Sequence, residues 1–465
     1  MAIEVDRAAA AVVGASLRRL EYDESAIEGL LGGGAWEKAV DHAPAYERRL
    51  PKTAQATPVR LFFLERPVSR ADAESALGAR AIGALARLGL ARVGKNAVEP
   101  LTRIAPVGPI LLASDRLATD PSDDPADYVS TYSPTARLCD LLTPRPWCTR
   151  ALDVGTGNGV QALLAAAHSE HVIATDVNPR ALAFTELNAA LSGIGNVETR
   201  RGSLFEPVTR ERFDLIVCNP PFVVSPERRW TYRDGSLEGD ELSAQVVREA
   251  AEHLTDGGFA TMLVSWLGRS RREPDERAWE WVQHIGCDSW ILPVDEASPL
   301  EHAERWNAHL EDTPAQHDDA LARWTSYLQE HDAEVVTEGA VLLHRRDGNT
   351  TSRIDEVDED DLDQADLQIR RAFSARAALD GHDLLDAELA PADELRIDAR
   401  SKRARVTLED GTRPLLDVSV ATAKLLRKLD GRPLRELKPS AKAVAACREL
   451  LELGALELRG FTSAP

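Results

Sequence analysis

Between residues 125 and 346 the chain alternates short apolar runs with longer amphipathic stretches. The apolar runs are RALDVG (150–155), HVIATDV (171–177), VETRRG (197–202), FDLIVCNP (213–220), FATMLVSW (259–266) and DSWILPV (288–294). Stretches such as PRALAFTELNAALSG and ELSAQVVREAAEHLTDGG, with helical spacing, separate most of them. Strands that read as near-continuous apolar runs between helices belong to sheets covered on both faces, so the pattern predicts an α/β domain with a mostly parallel sheet. VVTEGAVLLHRR (335–346) reads as a closing hairpin that adds an antiparallel edge strand.

The two ends follow other patterns. In residues 1–115, SRADAESALGARAIGALARLGLARVG predicts two helices around a glycine break, and AVEPLTRIAPVGPILLASD alternates like a hairpin. Helix, turn, helix and a two-stranded wing is the order of a winged helix, and equally that of a small α+β cap packed on the next domain. Residues 349–366, which include IDEVDEDDLDQAD, carry little apolar content and read as an acidic linker. From 367 to 465, two strands around the basic turn RSKRAR precede three helices and a strand, a second winged-helix-like module.

Composition changes this picture little. At 43% hydrophobic and 28% charged residues the chain is of ordinary globular type. The first twenty residues lack the apolar core of a signal peptide, and no apolar run approaches the roughly 18 residues of a membrane span. Five scattered cysteines without a CxxC pair fit a reducing compartment, so a cytoplasmic protein is expected, with no membrane partner. Eleven histidines show no metal-ligand spacing; His302, His309, His317 and His331 read as surface residues of a polar helical region, and no metal is expected. Net charge is −21, but from Arg400 to Pro465 fourteen Lys and Arg face eight Asp and Glu, 14 − 8 = +6.

Candidate chemistry sits at the strand ends. ALDVGTGNGV ends a strand in a turn holding Gly155, Gly157 and Gly159, residues that permit positive φ and close approach of a ligand to backbone. The spacing is GxGxG, not the GxGxxG of pyrophosphate-binding dinucleotide folds. Asp176 ends the next strand, 17 residues after Gly159, where an acid accepts from both ribose hydroxyls; a helix N-cap is its bland alternative. GSLFEP follows the third strand, placed to grip an adenine edge. Asn219, Pro220, Pro221 and Phe222 end the fourth, and two prolines that cannot donate to a ladder stop that strand.

In this order LDVGTGNG, ATDVNPRAL, GSLFEP and FDLIVCNPPF resemble a class I S-adenosylmethionine-dependent methyltransferase, and more closely the HemK-type group with an Asn-Pro-Pro-Tyr/Phe motif. The resemblance covers roughly 130–265. It implies a Rossmann-like class I methyltransferase sheet, flanked here by small helical or winged-helix-like domains, with S-adenosyl-L-methionine as cofactor. Carried over residue by residue, it assigns cofactor contacts to Asp153, Gly155, Thr156, Gly157, Asn158, Gly159, Asp176, Val177, Asn178, Ser203, Leu204 and Asn219, and to Tyr132 in DYVSTYSPTA. Ser203 departs from the family, which commonly has an acid there for the adenine amino group.

Asn219, Pro220, Pro221 and Phe222 are then the catalytic set. The lone pair of a planar nitrogen is delocalised; the Asn219 oxygen and Pro220 carbonyl can each accept an N–H and favour a pyramidal nitrogen. The prolines hold those acceptors stiffly, and Phe222 stacks on the planar group. Such a corner serves a nucleobase amine or a glutamine amide, and the resembled families contain both. Phe at the fourth position and the basic C-terminal end, itself also readable as a solvated face, favour a base amine (adenine N6 or guanine N2) of RNA, with DNA second. The alternative is a protein-(glutamine-N5) methyltransferase acting on a translation release factor; a third possibility is a nucleic-acid-binding regulator that senses the cofactor. SPERRWTYRDGSLEGDELS (225–243) reads as a substrate-facing lid or a plain surface loop; in the lid reading Trp230, Tyr232 and Arg233 join Phe222 as substrate contacts.

Overall fold

The computed structural model describes residues 5–34, 42–117, 127–228, 233, 237–308, 313–358, 362–399 and 403–461. Eight strands form the central sheet: β1 (Cys148–Val154), β2 (Ser169–Asp176), β3 (Val197–Arg201), β4 (Phe213–Cys218), β5 (Leu254–Gly268), β6 (Cys287–Ala297), β7 (Val335–Arg345) and β8 (Ser352–Ile354). Their spatial order is 8-6-7-5-4-1-2-3. Strands β3, β2, β1, β4 and β5 run parallel, and β7 runs antiparallel between β5 and β6. This is an α/β sheet of Rossmann-like type.

Alternation along the strands divides the interior in two. Leu152, Val154, Ile173, Ile216 and Cys218 face one way and pack with the helix Glu241–His253. Ala151, Val172, Ala174, Leu215 and Val217 face the other way, where Leu138, Ala162 and Phe373 cover them. With both faces buried, the period of two vanishes from the hydropathy pattern, which is why these strands read as unbroken apolar runs.

Two expectations are corrected. VVTEGAVLLHRR is a single strand, β7, and it lies inside the sheet, not at its edge. Gly339 is no turn residue: a Cβ there would stand 2.3 Å from the Leu292 carbonyl oxygen and 2.9 Å from the Trp266 ring, so the absent side chain makes room for its neighbours. The acidic linker begins as structure, because β8 pairs with the outer edge of β6 and Asp355 accepts from Trp290 Nε1 at 2.9 Å. After it the helix Ala365–Leu379 buries Ile369, Ala372 and Phe373 in the sheet's second core.

Near the N-terminus, strand Val68–Ser69, helices Arg70–Leu77 and Ala79–Arg87, and strands Ala91–Val93 and Ala97–Pro100 follow in winged-helix order, the first strand pairing with the last. The stretch read as one hairpin divides there: Arg103–Val107 and Ile110–Ser114 form a separate ribbon. The helix Arg7–Arg19 packs on the helix Pro179–Ser192 through Val13, Leu17, Leu187 and Leu191. In the C-terminal module Leu395–Ala399, Arg403–Leu408 and Leu416–Ser419 make an antiparallel meander, beside helices Val420–Leu426 and Ala441–Glu452. Many of its arginines are ion-paired, Arg396 with Glu409, Arg405 with Asp417, Arg432 with Asp430 and Arg435 with Asp386. Residues 400–402 of RSKRAR lie outside the described residues.

Candidate active site

Strands β4, β1 and β2 are neighbours, so the loops after Cys218, Val154 and Asp176 converge at one end of the sheet, the position where open α/β sheets bind ligands. A cavity of about 610 Å³ opens there.

Its floor is the glycine turn. Gly155 (φ +70°) and Gly157 (φ +56°) lie in the left-handed region, and a Cβ on either would meet nothing within 4 Å. The bare backbone faces open space. Gly159 is not on the cavity wall; a Cβ there would stand 2.9 Å from the Thr185 side chain, so its role is packing. Asp153, 3% exposed, accepts from the Thr156 hydroxyl at 2.6 Å and from the Ala162 amide at 3.0 Å. Burial still pushes its pKa up to about 6. Asn158 uses its side-chain amide locally, donating to the Ser130 carbonyl at 2.7 Å and accepting from the Val160 amide at 3.0 Å.

The side wall is the end of β2. Asp176 accepts from the Gly157 amide at 2.9 Å and the Asn178 amide at 2.8 Å, and burial raises its pKa above the ordinary carboxylate range. Val177 is 48% exposed, an apolar surface on the cavity wall. The Asn178 side chain is an N-cap, accepting from the Arg180 amide and donating to the Asp127 carbonyl. Ser203 and Leu204 line the cavity from the loop after β3, Leu204 at φ +45°.

On the far side stand Asn219, Pro220, Pro221 and Phe222. Neither the Asn219 side-chain amide nor the Pro220 carbonyl has a hydrogen-bond partner among the described residues. Phe222 packs partly against the second core. Arg233, 7% exposed, donates to the Trp306 carbonyl at 3.3 Å and lies 5.6 Å from the Trp324 ring. Trp230 and Tyr232 lie outside the described residues.

Tyr132 is corrected. It points away from the cavity into a cluster with Val107, Ile110 and Leu112, and its neighbours Tyr128, Val129, Ser130 and Thr131 line the wall instead. His302 is also corrected: it is buried, 3.0 Å from the Val224 carbonyl, with its pKa pushed down to about 4 by burial. Trp306, four residues on, was missed. It lines the cavity and donates to Glu338 Oε1 at 2.9 Å. The alternation of His302, Ala303 and Trp306 with charged residues along Pro299–Asn307 was the available signal.

Residues 134–267 match the family model described as methyltransferase small domain. The chain is 38% identical over 141 residues to the ribosomal protein uL3 glutamine methyltransferase of Bradyrhizobium diazoefficiens, 27% of this chain and 43% of that protein. It is 35% identical over 133 residues to the release factor glutamine methyltransferase of Geobacter sulfurreducens, 26% and 46% respectively. A uL3 glutamine methyltransferase of Xanthomonas campestris is 31% identical over 194 residues, 37% of this chain and 62% of that one. The chain thus spans about half the length of the curated relatives it matches. Among solved structures, a methyltransferase from Pyrococcus furiosus is 16% identical over 46% of this chain and 83% of that one, at a TM-score of 0.29. The segment 134–267 thus matches a methyltransferase family model and is similar to glutamine methyltransferases of release factors and of uL3.

Proposed function

We propose that the protein is an S-adenosylmethionine-dependent methyltransferase acting on the side-chain amide of a glutamine in a protein of the translation apparatus. The observation that carries this is the unpartnered pair of oxygens at the end of β4, Asn219 Oδ1 and the Pro220 carbonyl, on the wall of the glycine-floored cavity. The relatives named above methylate glutamine in release factors and in uL3, and they support the protein acceptor over the RNA base expected from the sequence. The ion pairing of the C-terminal arginines supports it too, because a guanidinium held by a carboxylate attracts phosphate less.

The cavity suits the cofactor. Gly155 and Gly157 leave a cradle that any Cβ would fill, Asp176 keeps a carboxylate beside it, and Val177 offers an apolar face for a purine. When bound, the cofactor supplies an electrophilic methyl on a sulfonium. Asn219 and Pro220 accept the two N–H groups of the acceptor amide and draw its nitrogen out of plane, which localises the lone pair. Pro221 stiffens the corner, so little reorganisation remains for the transition state. Phe222 lies against the flat amide, and Trp306 and Arg233 bound the acceptor side.

Labelled cofactor incubated with protein and RNA fractions of the source cell tests this. The expected result is label in protein, released as methylamine on acid hydrolysis, and abolished by Asn219→Ala. Label in RNA overturns the glutamine assignment, and label in neither overturns the enzyme.

A further inference from the structure

We propose that Asn188 is a positioning residue through which the N-terminal module fixes the glycine loop, an inference that rests on the cofactor reading above. Asn188 and Thr185 stand one turn apart on the helix Pro179–Ser192, and both are fully buried. The Thr185 hydroxyl donates to the Gly157 carbonyl at 3.2 Å, and Asn188 Nδ2 donates to the Asn158 carbonyl at 2.8 Å. Two successive carbonyls of the loop are therefore turned back onto the helix, while Gly155 and Gly157 keep open space before them. Neither Thr185 nor Asn188 lines the cavity.

The same asparagine reaches the other way. Its Oδ1 accepts from the Ala113 amide and its Nδ2 donates to the Ala113 carbonyl, both at 2.8 Å. One side chain thus ties the ribbon strand Ile110–Ser114 to the loop. Ser192, four residues further along the helix, repeats the grip on Leu111, accepting from its amide at 3.0 Å. Beyond it, Gly14 lies so close that a Cβ would stand 2.0 Å from the Leu191 carbonyl, to which Arg18 donates at 2.8 Å. Asp115, just past the ribbon, accepts from the Val129 amide at 2.8 Å and pairs with Arg180, so the segment that lines the cavity is held by the same module. The N-terminal module is built into the cofactor site.

The test uses the full chain and S-adenosylhomocysteine, the demethylated product. Calorimetry on Asn188→Ala and Thr185→Val should give a dissociation constant at least fivefold above wild type, with Thr185→Ser, which keeps the hydroxyl, close to wild type. Gly14→Ala, remote from the cavity, should weaken binding as well, because its methyl displaces the first helix from Leu191. Without ligand, amide hydrogen exchange over 155–162 should quicken in the first two variants and in Gly14→Ala. Wild type that fails to bind the product overturns the cofactor reading, and exchange in the ligand-free chain then decides the clamp alone. Folded variants with wild-type affinity and wild-type exchange overturn the proposal. If Asn188→Ala does not fold, the contrast between Thr185→Val and Thr185→Ser decides.

Discussion

Replacing Asp153 by Asn should stabilise the ligand-free protein at alkaline pH and do nothing for it in acid. The carboxyl is 3% exposed, and its two donors, Thr156 and Ala162, do not offset the loss of solvation, which leaves a pKa of about 6. In the unfolded chain the group titrates near its ordinary value of about 3.9. Below that value both states hold the proton and the group costs nothing. Between the two values the unfolded state releases the proton and the folded state keeps it, so stability falls as pH rises. Above about 6 the penalty is complete, and the gap between the two values corresponds to about 3 kcal/mol. Asn has the same shape, accepts from the same two donors and carries no charge. The difference in melting temperature between Asp153→Asn and wild type should therefore be close to zero at pH 4, open between pH 4 and 7, and stay constant at several degrees beyond. A difference independent of pH, or one that opens in acid, would refute the argument that burial dominates at this carboxylate.

Further outcomes follow from the same geometry. Asn219→Ala removes an acceptor that holds no hydrogen bond among the described residues, so melting temperature should hold while the single-turnover rate falls about 10²–10³-fold, the usual cost of losing one preorganised group, and far more than product affinity does. Gly157→Ala strains a residue at φ +56° and puts a methyl into the cradle; it should cost about 1–2 kcal/mol of stability and weaken product binding more than tenfold in calorimetry. Binding of an unstructured polyribonucleotide, followed by fluorescence anisotropy, should be weak at 150 mM salt, with a shallow dependence on salt. A steep slope would mean that the C-terminal arginines meet phosphates after all.

Most of the cavity wall was legible because it is written in short range. A glycine turn, an acid at the next strand end and a proline stop each declare themselves within ten residues, and Asp153, Asp176 and Asn219 do face one cavity. What depends on long-range packing was not. Gly339 looks like a turn until Trp266 is seen to cross it, and Tyr132 lies beside true lining residues but is drawn off by Val107 and Leu112, from a ribbon about 20–25 positions earlier. The helical region 299–330 reads as polar surface because only a narrow stripe is apolar, and that stripe holds Trp306 and Trp324. Asn188 gives no local signal, since its three partners come from two distant segments.

Strand β8 has a consequence for how the molecule behaves in company. An open sheet rim is a template on which any extended chain can grow. Here one rim is sealed by three residues, with Arg353 and Asp355 paired alongside and an acidic tract close behind. The opposite rim, β3, carries Glu198 and Arg200, the latter bound to Glu211. Charge stands at both borders of the eight-stranded sheet, an arrangement that disfavours edge-to-edge pairing between copies.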